Sequence, residues 1–363
     1  MEYKISPLVE EKTVFSYAEH HSDAPCILDC SLGHNPYGMA PSAVAAWRAL
    51  SPGQLYEYPH SEDIMEAICG YWRGVAALRA DQITLSFGSI DAIYTVNQLF
   101  FKPGARVLGI CPQFSDYPVS AAMQGYEYIP FRLDAARGFA FDEDEFIKRI
   151  DDTLSLIYID SPNNPTGMTV PPDSLERIAA FAAERGVCLI ADEAYGDFMP
   201  KEDSALRLLE AHDNVIVLRT FSKGFGLAGF RAGYIAAGAK LSSLFRKLRN
   251  PYCMATDARV LAAAALGDRV FIRKCMAAFA GIKARIVNAM GENLTMAHTC
   301  PTTPLCLLTH RDERADLAAV FAGYGIKAVS GGDFEGLGAN SVRLRLPRAE
   351  DADILIEAIS DIG

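Results

Sequence analysis

No apolar run in this 363-residue sequence approaches the roughly 20 residues needed to cross a bilayer; stretches such as VLAAAAL (260–266) are far shorter. The first sixteen residues, MEYKISPLVEEKTVFS, carry charges where a secretory signal needs an apolar centre. A cytoplasmic protein with no membrane partner is expected. Basic charge is also short: 34 Lys and Arg stand against 45 Asp and Glu, a net charge of −11, which argues against a nucleic-acid partner. Cysteine is present, but the nine residues are odd in number and none forms C-x-x-C, so they read as small buried hydrophobes. The seven histidines lack ligand spacing, and no metal is expected. Internal repeats and low-complexity segments are absent.

What the sequence does have is a series of short, continuously apolar segments. QITLSFG (82–88), RVLGIC (106–111), LSLIYID (154–160), VCLIADE (187–193), NVIVLRTFS (214–222) and AGYIAAG (232–238) read as buried strands. Helical patterns lie between several of them, including SIDAIYTVNQLF and PPDSLERIAAFAAERG, the latter closed by Gly186 as a C-cap. Strands alternating with helices predict a three-layer αβα unit with a mostly parallel sheet. Beyond residue 250 the texture changes to an Ala-rich helical region (256–295). A smaller α+β tail follows, with strand-like PLCLLTH, GIKAVS and SVRLRLP and a terminal helix. The division expected is a large domain over 49–250 and a small domain made of 1–48 and 251–363.

Ligands of open α/β sheets bind outside the carboxyl ends of the strands. Polar clusters fall at the ends of the first, third, fourth and fifth of these segments: FGSID, DSPNNPTG, DEAYGDF and SKGFG. The last belongs to TFSKGFGLAGFRAGY (220–234), where Gly224, Gly226 and Gly229 match the G-x-G-x-x-G dinucleotide pattern. That pattern needs a helix directly after it and an acid some 20 residues on. Here a strand-like segment follows, and no Asp or Glu occurs between Lys223 and Asp257. The match is therefore coincidental, and the glycines are expected to let the backbone pass close to a bound group. A lysine at a strand end, in the company of a buried acid, a phenol and phosphate donors, is the set that pyridoxal phosphate requires.

On these motifs the chain resembles the fold-type I pyridoxal-phosphate enzymes, class I/II aminotransferases, and within them the histidinol-phosphate aminotransferase branch. SLGHNPYG (31–38), YEYPHSED, FGSIDA, SPNNPTG, ADEAYGDF, TFSKGFGLAGFRAGY, NPYCMATD and VRLRLP (342–347) carry the resemblance over nearly the whole chain. It implies an aminotransferase that moves an amino group between an α-amino acid and a 2-oxo acid, with Lys223 as the Schiff-base residue and proton shuttle. Asp192 would keep the pyridine nitrogen protonated, and Tyr195 and Asn164 would hydrogen-bond the ring 3-hydroxyl, Asn164 also bordering the substrate. Gly88 and Ser89 at a helix start, with Thr220, Ser222 and Arg231, would hold the phosphate. Phe114 would stack on the ring. Tyr58 would reach the phosphate of a neighbouring subunit, which makes a homodimer the expected unit. Arg343 would grip the α-carboxylate and Tyr37 would line the side-chain pocket. Arg345, on the same strand face as Arg343, is expected to be solvated or ion-paired.

Two further readings remain open on sequence. Related threonine-phosphate decarboxylases share most of these motifs, and a non-catalytic cofactor-binding regulator shares the fold. Histidinol phosphate itself is disfavoured as substrate. The branch places a phosphate-binding arginine where this chain has Val329, although Lys327, two residues away, could share that strand face.

Overall fold

The computed structural model describes residues 25–60 and 63–363. The segment read for a targeting signal, with His20-His21 and the first half of the 1–48 segment, lies outside the described residues.

The predicted strands form the core of a seven-stranded sheet. It comprises β2 (Ile83–Ser86), β3 (Arg106–Cys111), β4 (Glu127–Arg132), β5 (Leu154–Asp160), β6 (Cys188–Asp192), β7 (Val215–Thr220) and β8 (Gly233–Ala237), in the order β2-β8-β7-β6-β5-β3-β4. Every residue of β5, β6, β7 and β8 is buried, as expected for strands covered on both faces. β8 is the reversed strand, antiparallel to both β7 and β2. Its connection from β7 contains a single 3-10 turn, Ala228–Phe230, and no crossover helix of the kind a parallel return needs. β4 was not among the strands expected. Its sequence, EYIPFR, contains Pro130 and is half-exposed, and a proline is tolerated there because β4 is an edge strand paired with β3.

Helices cover both faces of the sheet. Gly88–Phe100 follows β2, and Pro172–Ala183 precedes β6. The latter ends at Gly186, whose φ of +70° supplies the left-handed C-terminal turn. The Ala-rich region is two helices, Thr256–Leu266 and Arg269–Ala289, broken at Gly267-Asp268, where Asp268 caps the Phe271 N–H at 3.1 Å. Ala258, Leu261 and Ala262 of the first pack in the same core as Ala43 of helix Pro41–Ala49 and Ala40 just before it.

A second core lies around an antiparallel sheet ordered β12-β13-β10-β9, formed by β9 (Leu294–Met296), β10 (Leu305–His310), β12 (Val329–Ser330) and β13 (Ser341–Arg345), with the terminal helix Ala352–Ile362 against it. GIKAVS is not one strand. β11 (Ile326–Lys327) pairs with β1 (Leu28–Asp29) in a separate two-stranded sheet, and the chain changes sheets at Ala328. Lys327 is thereby set opposite Asp29, while Val329 is set opposite Arg343. Alternation along one strand therefore does not bring Lys327 to the face of Val329.

Candidate active site

The carboxyl ends of β5, β6 and β7 and the start of helix Gly88–Phe100 enclose a cavity of about 310 Å3. Its walls include Lys223, Asp192, Tyr195, Asn164, Ser222 and Arg231, with Ser89, Phe114, Asp116 and Asp160 completing them. Side chains from five separate loops thus converge on one space.

The loop carrying Lys223 is fixed from behind. Asn35 Nδ2 donates to Gly224 O at 2.7 Å, and the Ala40 N–H donates to Phe225 O at 3.0 Å. Two of the glycines in this loop make room for neighbouring protein. A Cβ at Gly224 would strike the Asp197 carboxyl, and one at Gly226, whose φ is +72°, would strike the Gly38 carbonyl. Nothing lies within 4 Å of a Cβ built on Gly229. On the opposite side, a Cβ at Gly33 would fall 2.5 Å from Tyr195 Oη and 2.8 Å from Lys223 Nζ, so the 31–34 segment lies directly against both groups. Lys223 Nζ is 5.4 Å from the Tyr195 ring centroid.

Asp192 ends β6. Its Oδ2 accepts from Tyr158 Oη at 2.7 Å and its Oδ1 from the Ala194 N–H at 3.0 Å. Burial pushes its pKa up to about 6, with the Tyr158 and Ala194 hydrogen bonds opposing the shift. The adjacent acid, Glu193, faces the other way. It accepts from Ser204 Oγ at 2.7 Å, the Ala205 N–H at 2.6 Å and Arg219 Nη1 at 3.0 Å. Arg219 also pairs with Asp197, and all three charges are buried. Glu193 is thus part of a structural ion network and does not line the cavity.

The anion end of the cavity is built on Arg231. Its φ of +53° is unusual for a side chain of this size and cost, of order 1–3 kcal/mol, is borne by the surrounding loop. Its Nη1 donates to Ala228 O at 2.9 Å and lies 3.5 Å from Ser222 Oγ. A Cβ at Gly88 would sit 2.8 Å from Arg231 Nη2, so glycine is what lets the guanidinium approach the helix start. The first N–H groups of that helix have no intrahelical acceptor and carry the positive end of its dipole. Thr220 is not on the cavity wall: its hydroxyl bonds Ala232 O at 3.0 Å and Ser222 Oγ at 2.9 Å, so it supports Ser222 from behind.

Two other residues, Tyr37 and Arg345, are placed differently from expectation. Tyr37 turns away, with its hydroxyl accepting from the Ala349 N–H at 2.9 Å and its ring against Phe279. Arg345 is buried, not solvated. The 29–32 segment folds over β13, and Arg345 donates to Leu32 O at 3.0 Å, to Leu346 O at 3.1 Å and to Asp29 O. Tyr58 does not reach the Lys223 cavity of its own chain. It is 69% exposed and stacks on Tyr252 at 4.6 Å beside a separate cavity of about 440 Å3. Arg343 is fully buried and donates to Ser31 O at 2.8 Å. Arg343 and Arg345 lie near enough to Tyr195 to oppose the upward push that burial exerts on its hydroxyl.

Sequence reasoning did not find Asp160 or Tyr158. Asp160 is the register partner of Asp192 on the neighbouring strand, and burial pushes its pKa up to about 7 against the hydrogen bonds it accepts. The available signal was that LSLIYID and CLIAD are both continuous apolar strands ending in Asp. Tyr158, two residues earlier on the same face, had no such signal. Among the described residues no group of three or more His, Cys, Asp or Glu is placed to hold a metal, and no helix is long and apolar enough to cross a membrane.

An αβα fold with a lysine, a buried acid and a guanidinium beside a helix start at adjoining strand ends matches the fold-type I class of enzymes. The sequence model of the aminotransferase class I and II family matches residues 27–359. The histidinol-phosphate aminotransferase of Limosilactobacillus fermentum is 33% identical over 251 residues, which are 68% of each chain. The chain belongs to the class I and II aminotransferases and is a transaminase of that family. Its fold is that of solved members. It matches the aspartate aminotransferase from Thermus thermophilus with maleate at a TM-score of 0.85, covering 100% of both chains at 19% identity. It matches the histidinol-phosphate aminotransferase from Sinorhizobium meliloti in complex with pyridoxal-5′-phosphate at a TM-score of 0.82, covering 100% of this chain and 98% of that one at 22% identity.

Proposed function

We propose that this protein carries pyridoxal 5′-phosphate in the Lys223 cavity and transfers an amino group between an unphosphorylated α-amino acid and a 2-oxo acid. The observation that carries the reading is the convergence of Lys223, Asp192, Asn164, Tyr195, Ser222 and Arg231 on one enclosed space. The donor set fits the group chemically. Arg231, Ser222 and the helix start at Gly88-Ser89 suit a phosphate dianion, and a carboxylate at Asp192 suits a pyridinium. When bound, the cofactor supplies an electron sink for charge developing at the substrate Cα.

In this reading Lys223 Nζ would hold the cofactor and would be the base that takes the substrate Cα proton and returns it. Asp192 keeps the ring nitrogen protonated. Asn164 and Tyr195 would hydrogen-bond the ring oxygen, and Phe114 would lie against the ring. Arg343 would grip the α-carboxylate and so orient the Cα–H bond for cleavage. Tyr58, exposed and remote from its own cavity, serves the phosphate of a second subunit in a homodimer. The chain divides into a large unit about the seven-stranded sheet, near 49–250, and a smaller α+β unit.

The curated relatives are named for histidinol phosphate, yet where that branch places its phosphate-binding arginine this chain has Val329. Val329 is buried opposite Arg343, and Lys327 belongs to another sheet, opposite Asp29. Arg343, opposite Val329, is already assigned to the α-carboxylate, so a phosphate at this position would have to share that charge or be desolvated without one of its own, which is unfavourable. The test is kcat/KM for histidinol phosphate against a panel of common amino acids with 2-oxoglutarate. Turnover of ordinary amino acids, with little of histidinol phosphate, is expected. A preference for the phosphorylated donor, or carbon dioxide release in place of oxo-acid formation, contradicts it.

A further inference from the structure

Phe114 and Asn164 stand on different loops, one after β3 and one after β5, and both line the cavity. The same carboxylate fixes both. Asp160 Oδ2 accepts the Asn164 N–H at 2.9 Å and the Phe114 N–H at 3.2 Å. Its Oδ1 accepts from Asn163 Nδ2 at 2.9 Å, and that amide also donates to Pro112 O at 3.1 Å. Asn163 Oδ1 in turn accepts from the Thr166 N–H at 3.1 Å and hydroxyl at 2.6 Å. The residue is 4% exposed, on the cavity wall, in register with Asp192.

We propose that Asp160 is the positioning residue of the ring site, tying the Phe114 and Asn164 loops to the end of β5 so that one contacts the ring face and the other its edge. A carboxylate is suited to this because it offers two acceptor oxygens and no donor, and three donors converge on it. Asparagine can still present one oxygen to the two backbone N–H groups, whereas alanine presents none. Sub-ångström displacement of groups that orient a reacting ring is enough to cost rate, which is why such ties matter. The inference rests on the proposed function for the identity of the ring, but not for the existence of the tie.

The experiment compares wild-type protein with Asp160→Ala and Asp160→Asn. In cofactor-free protein, backbone amide hydrogen exchange is followed in peptides covering 112–116 and 161–166. In protein loaded with pyridoxal phosphate, the cofactor release rate and its visible circular dichroism are recorded. Asp160→Ala should speed exchange in those two segments about tenfold, the scale of losing one or two buried hydrogen bonds. It should also speed cofactor release at least tenfold and weaken the dichroism per bound cofactor. Asp160→Asn should stay within about threefold of wild type in all three. Unchanged exchange in Asp160→Ala overturns the proposal, as does acceleration spread evenly over the chain or an Asp160→Asn variant as impaired as Asp160→Ala. Failure of wild-type protein to bind pyridoxal phosphate contradicts the proposed function instead, and the exchange data still decide the tie.

Discussion

The Tyr158 hydroxyl donates a 2.7 Å hydrogen bond to Asp192 Oδ2 across two neighbouring parallel strands. Tyr158 is itself buried and stacked on Tyr117 with ring centroids 3.5 Å apart, so the hydroxyl is held where it is. The bond stabilises the ionised form of an acid that burial otherwise pushes toward neutrality. Tyr158→Phe should therefore raise the proton affinity of Asp192. Since the ionised form is the one that pairs with a pyridinium, the acid limb of the kcat/KM profile should move to higher pH, by up to about one unit for a hydrogen bond of about 1 kcal/mol. An unmoved acid limb would show that Tyr158 does not tune this acid.

Much of this site was legible because its residues sit at the ends of continuous apolar strands. LIADEAYGDF and SKGFG marked Asp192, Tyr195 and Lys223 by their place at strand ends, and the family resemblance supplied their expected roles. What escaped was whatever depends on register between strands or on the path of the N-terminal segment. Asp160 and Tyr158 matter through their position opposite β6, which no single segment reveals. Arg345 looked like an edge residue because the sequence does not show that the 29–32 segment folds over β13. Thr220 and Tyr37 were assigned by resemblance, and each has its hydroxyl engaged elsewhere, Thr220 with Ala232 and Tyr37 with Ala349. The split of GIKAVS into two sheets is set by partners distant in sequence, β1 and β13, and is invisible to alternation.

Asp160 also makes a prediction about stability. Its pKa is raised from 3.8 to about 7 in the folded chain, chiefly by burial. Between those values the folded chain keeps a proton that the unfolded chain releases, so this residue makes stability fall as pH rises through the window. Asp160→Asn removes that dependence. The cofactor-free variant should gain in Tm relative to wild type on going from pH 5 to pH 8. A Tm difference that stays constant with pH would mean the carboxyl is ionised throughout.

Tyr58 predicts complementation between subunits. Lys223→Ala and Tyr58→Phe proteins each carry a lesion in every site of their own homodimer. Once subunits exchange, a mixed dimer in which Tyr58 serves the partner's cavity has one site with both residues native. Activity of the mixture should rise toward a fraction of wild type with the kinetics of exchange. No recovery after exchange has been demonstrated by mass would place Tyr58 outside the site.

The central claim is that Lys223 is the residue to which the cofactor is bound. Wild-type protein loaded with pyridoxal phosphate, reduced with borohydride and digested, should yield one peptide bearing the pyridoxyl group, with the label on Lys223. Lys223→Ala should show neither the visible absorption of the bound cofactor linked to a lysine nor any labelled peptide from this segment. A label on another lysine in the wild-type protein, or no reducible linkage in a protein that binds the cofactor, would contradict the account.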